Sequence, residues 1–188
     1  MIIPRPYQED ALRAVWDYYA NGKSGNPVIA HPTGTGKSVL PAVFMERILK
    51  VWPNQRFLLA THVSELIKQN ADELQFHWNG APLGIYSAGL KSKQAANSIV
   101  YGGIQSMAKN PSIFGHRDIM FIDEAHLVSD NESSQYLTFI AALRLINPGM
   151  KIIGMSATPF RMGMGYLTGG KIFTDIIHDL TSMEGFNK

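Results

Sequence analysis

The chain contains no cysteine, which excludes disulfide cross-links, cysteine-ligated zinc and thiol catalysis. It has no uncharged apolar run near the ~18 residues that a bilayer-spanning helix needs. Its opening, "MIIPRPYQEDALRA", brings acids and proline early instead of a basic start and an apolar core, so no secretory leader is expected. Charge of one sign is scarce too: 17 Lys and Arg against 15 Asp and Glu leave a formal net charge of +2. That balance gives no global attraction to a polyanion, so any nucleic-acid surface has to be local. Linkers, internal repeats and low-complexity tracts are also missing. These absences lead us to expect one cytoplasmic domain with no membrane contact. At 188 residues, 45% of them hydrophobic, the chain can bury a full core.

What is present is an alternation of short apolar runs with stretches of helical period. The strands expected are Pro27 to Ala30, Arg56 to Thr61, Leu83 to Gly89, Ser98 to Gly103, Ile119 to Ala125 and Lys151 to Ala157. Helical spacing, with apolar residues three and four apart, runs through Tyr7 to Gly22, Lys37 to Trp52, Ser64 to Trp78 and Ser133 to Asn147. Continuous apolar strands alternating with helices predict an α/β fold, its mainly parallel sheet covered by helices on both faces. The stretch from Gly163 to Lys188, rich in Gly and Met, yields no assigned element. In such folds ligands sit at the carboxyl ends of strands. The polar clusters "HPTGTGKS", "DEAH" and "SATP" all fall there.

"PTGTGKS" carries a strand through glycines into a helix. Gly34 and Gly36 can take positive φ and let backbone N–H groups converge on phosphate oxygens, with Pro32, Thr33 and Thr35 completing the cradle. Lys37 supplies a cation for the β and γ phosphates, Ser38 a hydroxyl for Mg²⁺, and the helix its positive end. The bland alternative, a glycine-rich turn before a helix, does not account for the residue order. Two departures stand out. His31 occupies the position where the pattern has glycine, and Pro41 removes a backbone donor just inside the helix, where it can kink it.

"MFIDEAH" ends another strand with Asp123 and Glu124. Asp123 can hold Mg²⁺ through water opposite Ser38, Glu124 can orient and deprotonate an attacking water, and His126 can couple the pair to its neighbours. Alone, an acidic pair after a strand reads equally well as a solvated turn; beside Lys37 the catalytic reading is preferred. After the next strand, Ser156 and Thr158 can bridge to whatever moves on hydrolysis, or satisfy local backbone groups.

Taken in order, "RPYQ", "HPTGTGKS", "DEAH" and "SATP" resemble the motifs of the first ATP-binding domain of superfamily 2 helicases and translocases. "RPYQ" and "SATPFRMG" are similar to the branch holding type III restriction subunits and repair ATPases. "AGLKSK", "GGIQSMAKN" and "DNESSQY" resemble the RadD group of DNA-repair ATPases, although Ala125 stands where that group has cysteine. The resemblance implies a three-layer RecA-like P-loop domain over residues 1–188, using ATP and Mg²⁺. Its partners would be nucleic acid, DNA rather than RNA, and a second RecA-like domain of the same parent chain. That domain would carry an arginine-bearing motif not found here, so this chain alone would hydrolyse ATP very slowly.

The resemblance also implies that Gln8 reads the adenine edge with Arg5 assisting. A strand of nucleic acid would pass Thr61 and His62 at a helix start, Gly89 and Lys91 after another strand, and Gln105, where Gly103 replaces the usual threonine. Lys91 and Lys93 can equally be an ordinary solvated loop. Backbone contacts, not base readout, are expected to dominate. The function so implied is the ATP-binding half of a nucleic-acid-dependent ATPase acting in DNA repair or recombination. A restriction translocase subunit and an ATP-latched binding module without unwinding are the alternatives.

Overall fold

Strands that are apolar on both faces need cover on both sides. In the computed structural model, which describes residues 3–128, 131, 134–161 and 165–181, helices provide it. In chain order the elements are α1 (Pro6–Ala20), β1 (Pro27–Ala30), α2 (Val39–Val51), β2 (Phe57–Thr61) and α3 (Ser64–His77). Next come β3 (Leu83–Ser87), β4 (Ser92–Lys93), β5 (Ile99–Gly103), α4 (Ile104–Met107) and β6 (Ile119–Ile122). The last are α5 (Gln135–Ile146), β7 (Lys151–Ser156), β8 (Phe160–Arg161), β9 (Gly165–Tyr166) and β10 (Asp175–Asp179).

Among the described residues one eight-stranded sheet runs β10-β1-β7-β6-β2-β5-β3-β4, while β8 and β9 form a separate hairpin. Every pairing in the large sheet is parallel except β3 with β4. Alternate residues of each strand feed opposite layers. Ile29, Leu59, Tyr101, Phe121 and Ile153 pack beneath α1, α2 and α3 with Leu12, Phe44, Met45 and Leu74. Their neighbours Val28, Leu58, Val100, Met120 and Ile152 pack on the other face with Met107, Phe139 and Leu143. The expected three-layer α/β arrangement is what forms.

Three local expectations need correction. The helix after the glycine loop begins at Val39, two residues later than its periodicity starts. Pro41 is therefore its third residue, where a backbone N–H has no helical partner in any case, so no helical hydrogen bond is lost there. The acidic strand ends at Ile122, leaving Asp123 and Glu124 in the turn beyond it. The stretch after Gly163 is not without structure: β10 lies in it and pairs in parallel with β1. Its "IFTDII" run is apolar enough to have signalled a strand.

One buried cation ties the amino ends of the strands together. Arg117 is 1% exposed and donates to the carbonyls of Phe114 (2.9 Å), Phe57 (3.1 Å), Asn97 (2.9 Å) and Ala95 (2.5 Å). Those acceptors lie in the turn before β6 (Phe114), at the first residue of β2 (Phe57) and in the segment before β5 (Ala95 and Asn97). Burial pulls its pKa down to about 10, so it stays charged at neutral pH, solvated by carbonyls in place of water. Arg117→Met should leave those carbonyls unsatisfied and destabilise the domain by more than about 3 kcal/mol in urea denaturation. A loss under about 1 kcal/mol would contradict this role.

Candidate nucleotide and nucleic-acid site

The carboxyl ends of β1, β6 and β7 adjoin at the centre of the sheet, and each ends in one of the polar clusters. From β1 the chain enters the loop at His31, whose N–H donates to Ser156 O at 2.9 Å. Gly34 and Gly36 sit at φ 80° and 73°, a region costly to side chains. Gly36 is doubly constrained, because a Cβ there would lie 2.9 Å from Gln8 Nε2. The loop closes with the Thr35 hydroxyl donating to Pro32 O at 2.7 Å and with 3₁₀-type bonds from Val39 N to Gly36 O and Leu40 N to Lys37 O, both 3.1 Å. Lys37 Nζ is buried without a hydrogen-bond partner. An ammonium so placed calls for an anion.

The amino-terminal motif clamps this loop from outside. The Tyr7 hydroxyl and Gln8 Nε2 both donate to Thr35 O at 2.9 Å, and Gln8 Nε2 also reaches Gly36 O at 3.2 Å. Gln8 Oε1 accepts from Arg5 N at 2.8 Å, while Arg5 Nη1 donates to the Tyr7 hydroxyl at 3.1 Å. In this arrangement the Gln8 amide is engaged at both ends, so reading an adenine edge requires exchanging those bonds. A cleft of about 190 Å³ opens beside it, lined by Arg5, Gln8, Gly34, Thr35, Gly36 and Glu73.

On the far side, Asp123 N donates to Ala60 O at 2.9 Å. The Asp123 carboxylate, 6% exposed, accepts from Asn70 Nδ2 (3.0 Å) and from Glu124 N (2.9 Å). Each oxygen accepts one bond and keeps a free lone pair. Glu124 adopts φ 51°, ψ 51°, a left-handed conformation that costs a side-chain-bearing residue about 1 kcal/mol. It turns the chain sharply after Asp123. His126 Nδ1 lies 3.0 Å from Ser156 Oγ and 3.3 Å from Glu124 Oε2. Thr158 N donates to the same Ser156 Oγ at 3.3 Å, and the Thr158 hydroxyl donates to Phe160 O at 3.0 Å. The acidic turn and the "SATP" turn are thus joined through one serine.

These donors suit Mg²⁺ bound largely by phosphate and water: a hydroxyl at Ser38, a carboxylate at Asp123, and no soft ligand. Among the described residues no group of three or more His, Asp or Glu gathers into a protein cage for a metal. The orphaned Lys37 ammonium is the observation that fits phosphate.

A second row of polar residues follows the carboxyl ends of β2, β5 and β3, and here the expected placement changes. Thr61 is fully buried within β2, and its Oγ1 accepts from Val63 N at 3.4 Å. Helix α3 starts beyond it, at Ser64, with Glu65 in its first turn. His62 packs edge-on against Tyr136, ring centroids 5.0 Å apart, with Nε2 unpartnered and its pKa lowered by burial. Neither residue lies in the helix's first turn. Gly89 stands beside Ser64, since a Cβ there would be 2.9 Å from Ser64 Oγ. Ser106 Oγ accepts from Ala88 N at 3.0 Å, which brings the loop of Gly89 and Lys91 next to Gln105. Lys91 has φ 51°; Lys91 and Gln105 are exposed.

Sequence reasoning missed Asn70, Tyr7's hold on the loop, and His178, which pairs with His31 at 2.8 Å. Asn70 left a faint trace as a polar residue on the apolar face of α3 otherwise built from Ile67, Ala71 and Leu74. His178 left none, because its partner is 147 residues away.

The family described as "Type III restriction enzyme, res subunit" matches residues 1–161. Putative helicase 22 of Sulfolobus islandicus filamentous virus (isolate Iceland/Hveragerdi) is 30% identical over 166 residues, covering 84% of this chain and 28% of the viral protein. Among solved structures, the UvsW helicase of bacteriophage T4 superposes with a TM-score of 0.71 at 20% identity, over 94% of this chain and 60% of that one. The Sulfolobus solfataricus SWI2/SNF2 ATPase core, solved in complex with dsDNA, gives 0.63 at 17% identity, over 84% and 32%. This chain therefore spans about a quarter of the viral relative and under two thirds of UvsW. The structural likenesses establish the RecA-like helicase fold.

Two outcomes follow from the geometry. Gly36→Ala, which puts a side chain at positive φ and against Gln8, should weaken nucleotide binding at least tenfold by equilibrium titration, roughly a 1.4 kcal/mol loss. Burial, then His178 and Lys37, hold the pKa of His31 near 4 against an ordinary 6.5. The unfolded chain therefore takes up this proton first as pH falls. Stability contributed by the neutral ring is full above pH 6.5 and should decline between pH 6.5 and 4, by up to about 1.4 kcal/mol per pH unit. Chemical denaturation of wild type and His31→Gln across that range checks it; equal slopes would contradict the assignment.

Proposed function

The chain belongs to the type III restriction enzyme res-subunit family of helicase-type ATPase domains, and from that premise we propose that it is the ATP-binding half of a DNA-dependent motor. The observation that carries the reading is the unpartnered Lys37 ammonium, buried in a glycine loop at the sheet edge that also ends in Asp123 and Ser156.

In this reading Lys37 and the backbone of Pro32 to Gly36 hold the β and γ phosphates, and Ser38 and Asp123 hold Mg²⁺. When bound, Mg²⁺ neutralises charge that develops on the transferring phosphoryl group. Glu124 orients and deprotonates the attacking water. Its neighbour His126 shares Ser156 with Thr158, a route by which loss of the γ phosphate reaches the "SATP" turn. Arg5 and Gln8 border the base, Gln8 exchanging loop carbonyls for the adenine edge when nucleotide enters.

DNA is favoured over RNA because the archaeal ATPase core with this fold was solved on dsDNA. The row formed by Gly89, Lys91 and Gln105 is the proposed backbone contact surface, and the buried position of Thr61 removes it as a direct contact. A DEAH-type, RadD-like role in repair or recombination is the finer proposal. The family match also favours a restriction translocase, and the two readings separate on whether the parent protein carries a nuclease. A second RecA-like domain is proposed to complete the site, since arginine fingers contribute about 10³ to 10⁵ in rate in P-loop enzymes.

ATP hydrolysis by the parent protein should rise with duplex or single-stranded DNA more than with RNA, and Lys37→Ala should abolish it. Glu124→Gln should retain ATP binding while lowering turnover by at least about 100-fold. Turnover unchanged in Glu124→Gln would point instead to an ATP-latched binding module.

A further inference from the structure

The loop begins with an imidazole where its pattern has glycine, and the fold supplies that imidazole with a partner. His31 is fully buried; its Nε2 lies 2.8 Å from His178 Nδ1, with ring centroids 4.9 Å apart. His178 gets there through a register shift. Along β1 and β10, Val28 pairs with Ile176, but Ile29 pairs with His178. Without the shift His178 would stand opposite Ala30, and a one-residue slip directs a strand side chain to the other layer. Bulges beside functional sites commonly re-aim a side chain in this way. His31 Nδ1 is buried with no hydrogen-bond partner, like Lys37 Nζ in the same loop.

Four groups from three segments face the pair. Tyr7 of α1 meets the His31 ring edge-on, centroids 5.8 Å apart. Lys37 of the loop repels a proton on His31. Asp10 of α1 and Asp179 of β10 favour one on His178, against its burial.

We propose that His31 and His178 form a proton-coupled positioning pair for the nucleotide: they fix where the phosphate loop leaves β1, and they take up one proton when phosphate binds. The inference rests on reading the loop as an ATP site. Without ligand, burial, the neighbouring ring and the Lys37 ammonium keep His31 neutral. Phosphate seated on Lys37 cancels that ammonium's repulsion, so binding favours the proton. By reciprocity of linked equilibria, the proton favours binding. A singly protonated pair keeps its hydrogen bond, one ring donating N–H to the lone pair of the other, so the anchor survives.

The test is the affinity of the 188-residue chain for fluorescently labelled ADP with Mg²⁺ at pH 6 and pH 8. Wild type is compared with His31→Gln/His178→Asn, which places amides where Nε2 and Nδ1 sit and cannot titrate. Each protein is compared with itself at the two pH values, so a uniform difference in affinity does not enter the result. At pH 6 wild type should gain about fivefold relative to the double variant; the ligand's own titration is common to both and cancels. His178→Asn alone should show a reduced gain, which keeps the comparison available if the double variant does not fold. His178→Phe, which removes the hydrogen bond, should bind more weakly at both pH values. Equal pH dependence in wild type and the asparagine variants overturns the pair's role. Lys37→Ala binding as tightly as wild type overturns the ATP-site reading instead.

Discussion

The site depends on a sheet that continues for one residue past its own strands. His31 N to Ser156 O, Asp123 N to Ala60 O and Leu180 N to Ala30 O, each 2.9 Å, prolong the ladder across the carboxyl edge. These bonds hold the entry to the glycine loop, the acidic turn and the "SATP" turn at a common level before any of them departs. Side chains on loops can then meet with the accuracy of a strand. Ser156 shows the benefit: its carbonyl receives the loop, while its hydroxyl meets His126 and Thr158.

Behind that edge, packing supplies the rigidity. The two layers take alternate residues from the same strands, so a shift in one strand's register would disturb both cores together. Two polar anchors join elements across the helical layer that holds α2 and α3. Asn70 reaches up from α3 to Asp123, and Glu46 of α2 accepts from Lys50 at 2.8 Å and pairs with His77 of α3 at 2.6 Å. At the opposite edge Arg117 gathers carbonyls, leaving the carboxyl edge free to carry loops.

Much of this could be read from residue order. Strand runs such as "FLLA" and "MFI" are apolar without a break, as parallel strands covered on both faces must be, and the glycine loop's chemistry is local enough to be written in seven residues. What escaped was what distance creates. Thr61 was legible as the last residue of a strand, and the resemblance made it a helix-start ligand as well; the structure keeps the strand and buries the side chain. Gln8 was legible as a functional side chain, but not as one already bonded to Thr35 and Gly36. The His31 departure was visible, and its reason was not, since β10 carries the answer from a stretch where Gly and Met masked a strand. Pro41 looked disruptive only because the helix start was placed two residues early.

The two borders of the sheet have a further consequence, for self-association. An open strand offers unpaired N–H and C=O groups to any passing chain. Here one border is β4, only two residues long and bearing Lys93, with Lys91 just before it. The other is β10, which carries Asp175 and Asp179. Neither border presents a long apolar template, so extension of the sheet from one molecule into the next is disfavoured at both ends, by shortness and positive charge at one and by negative charge at the other.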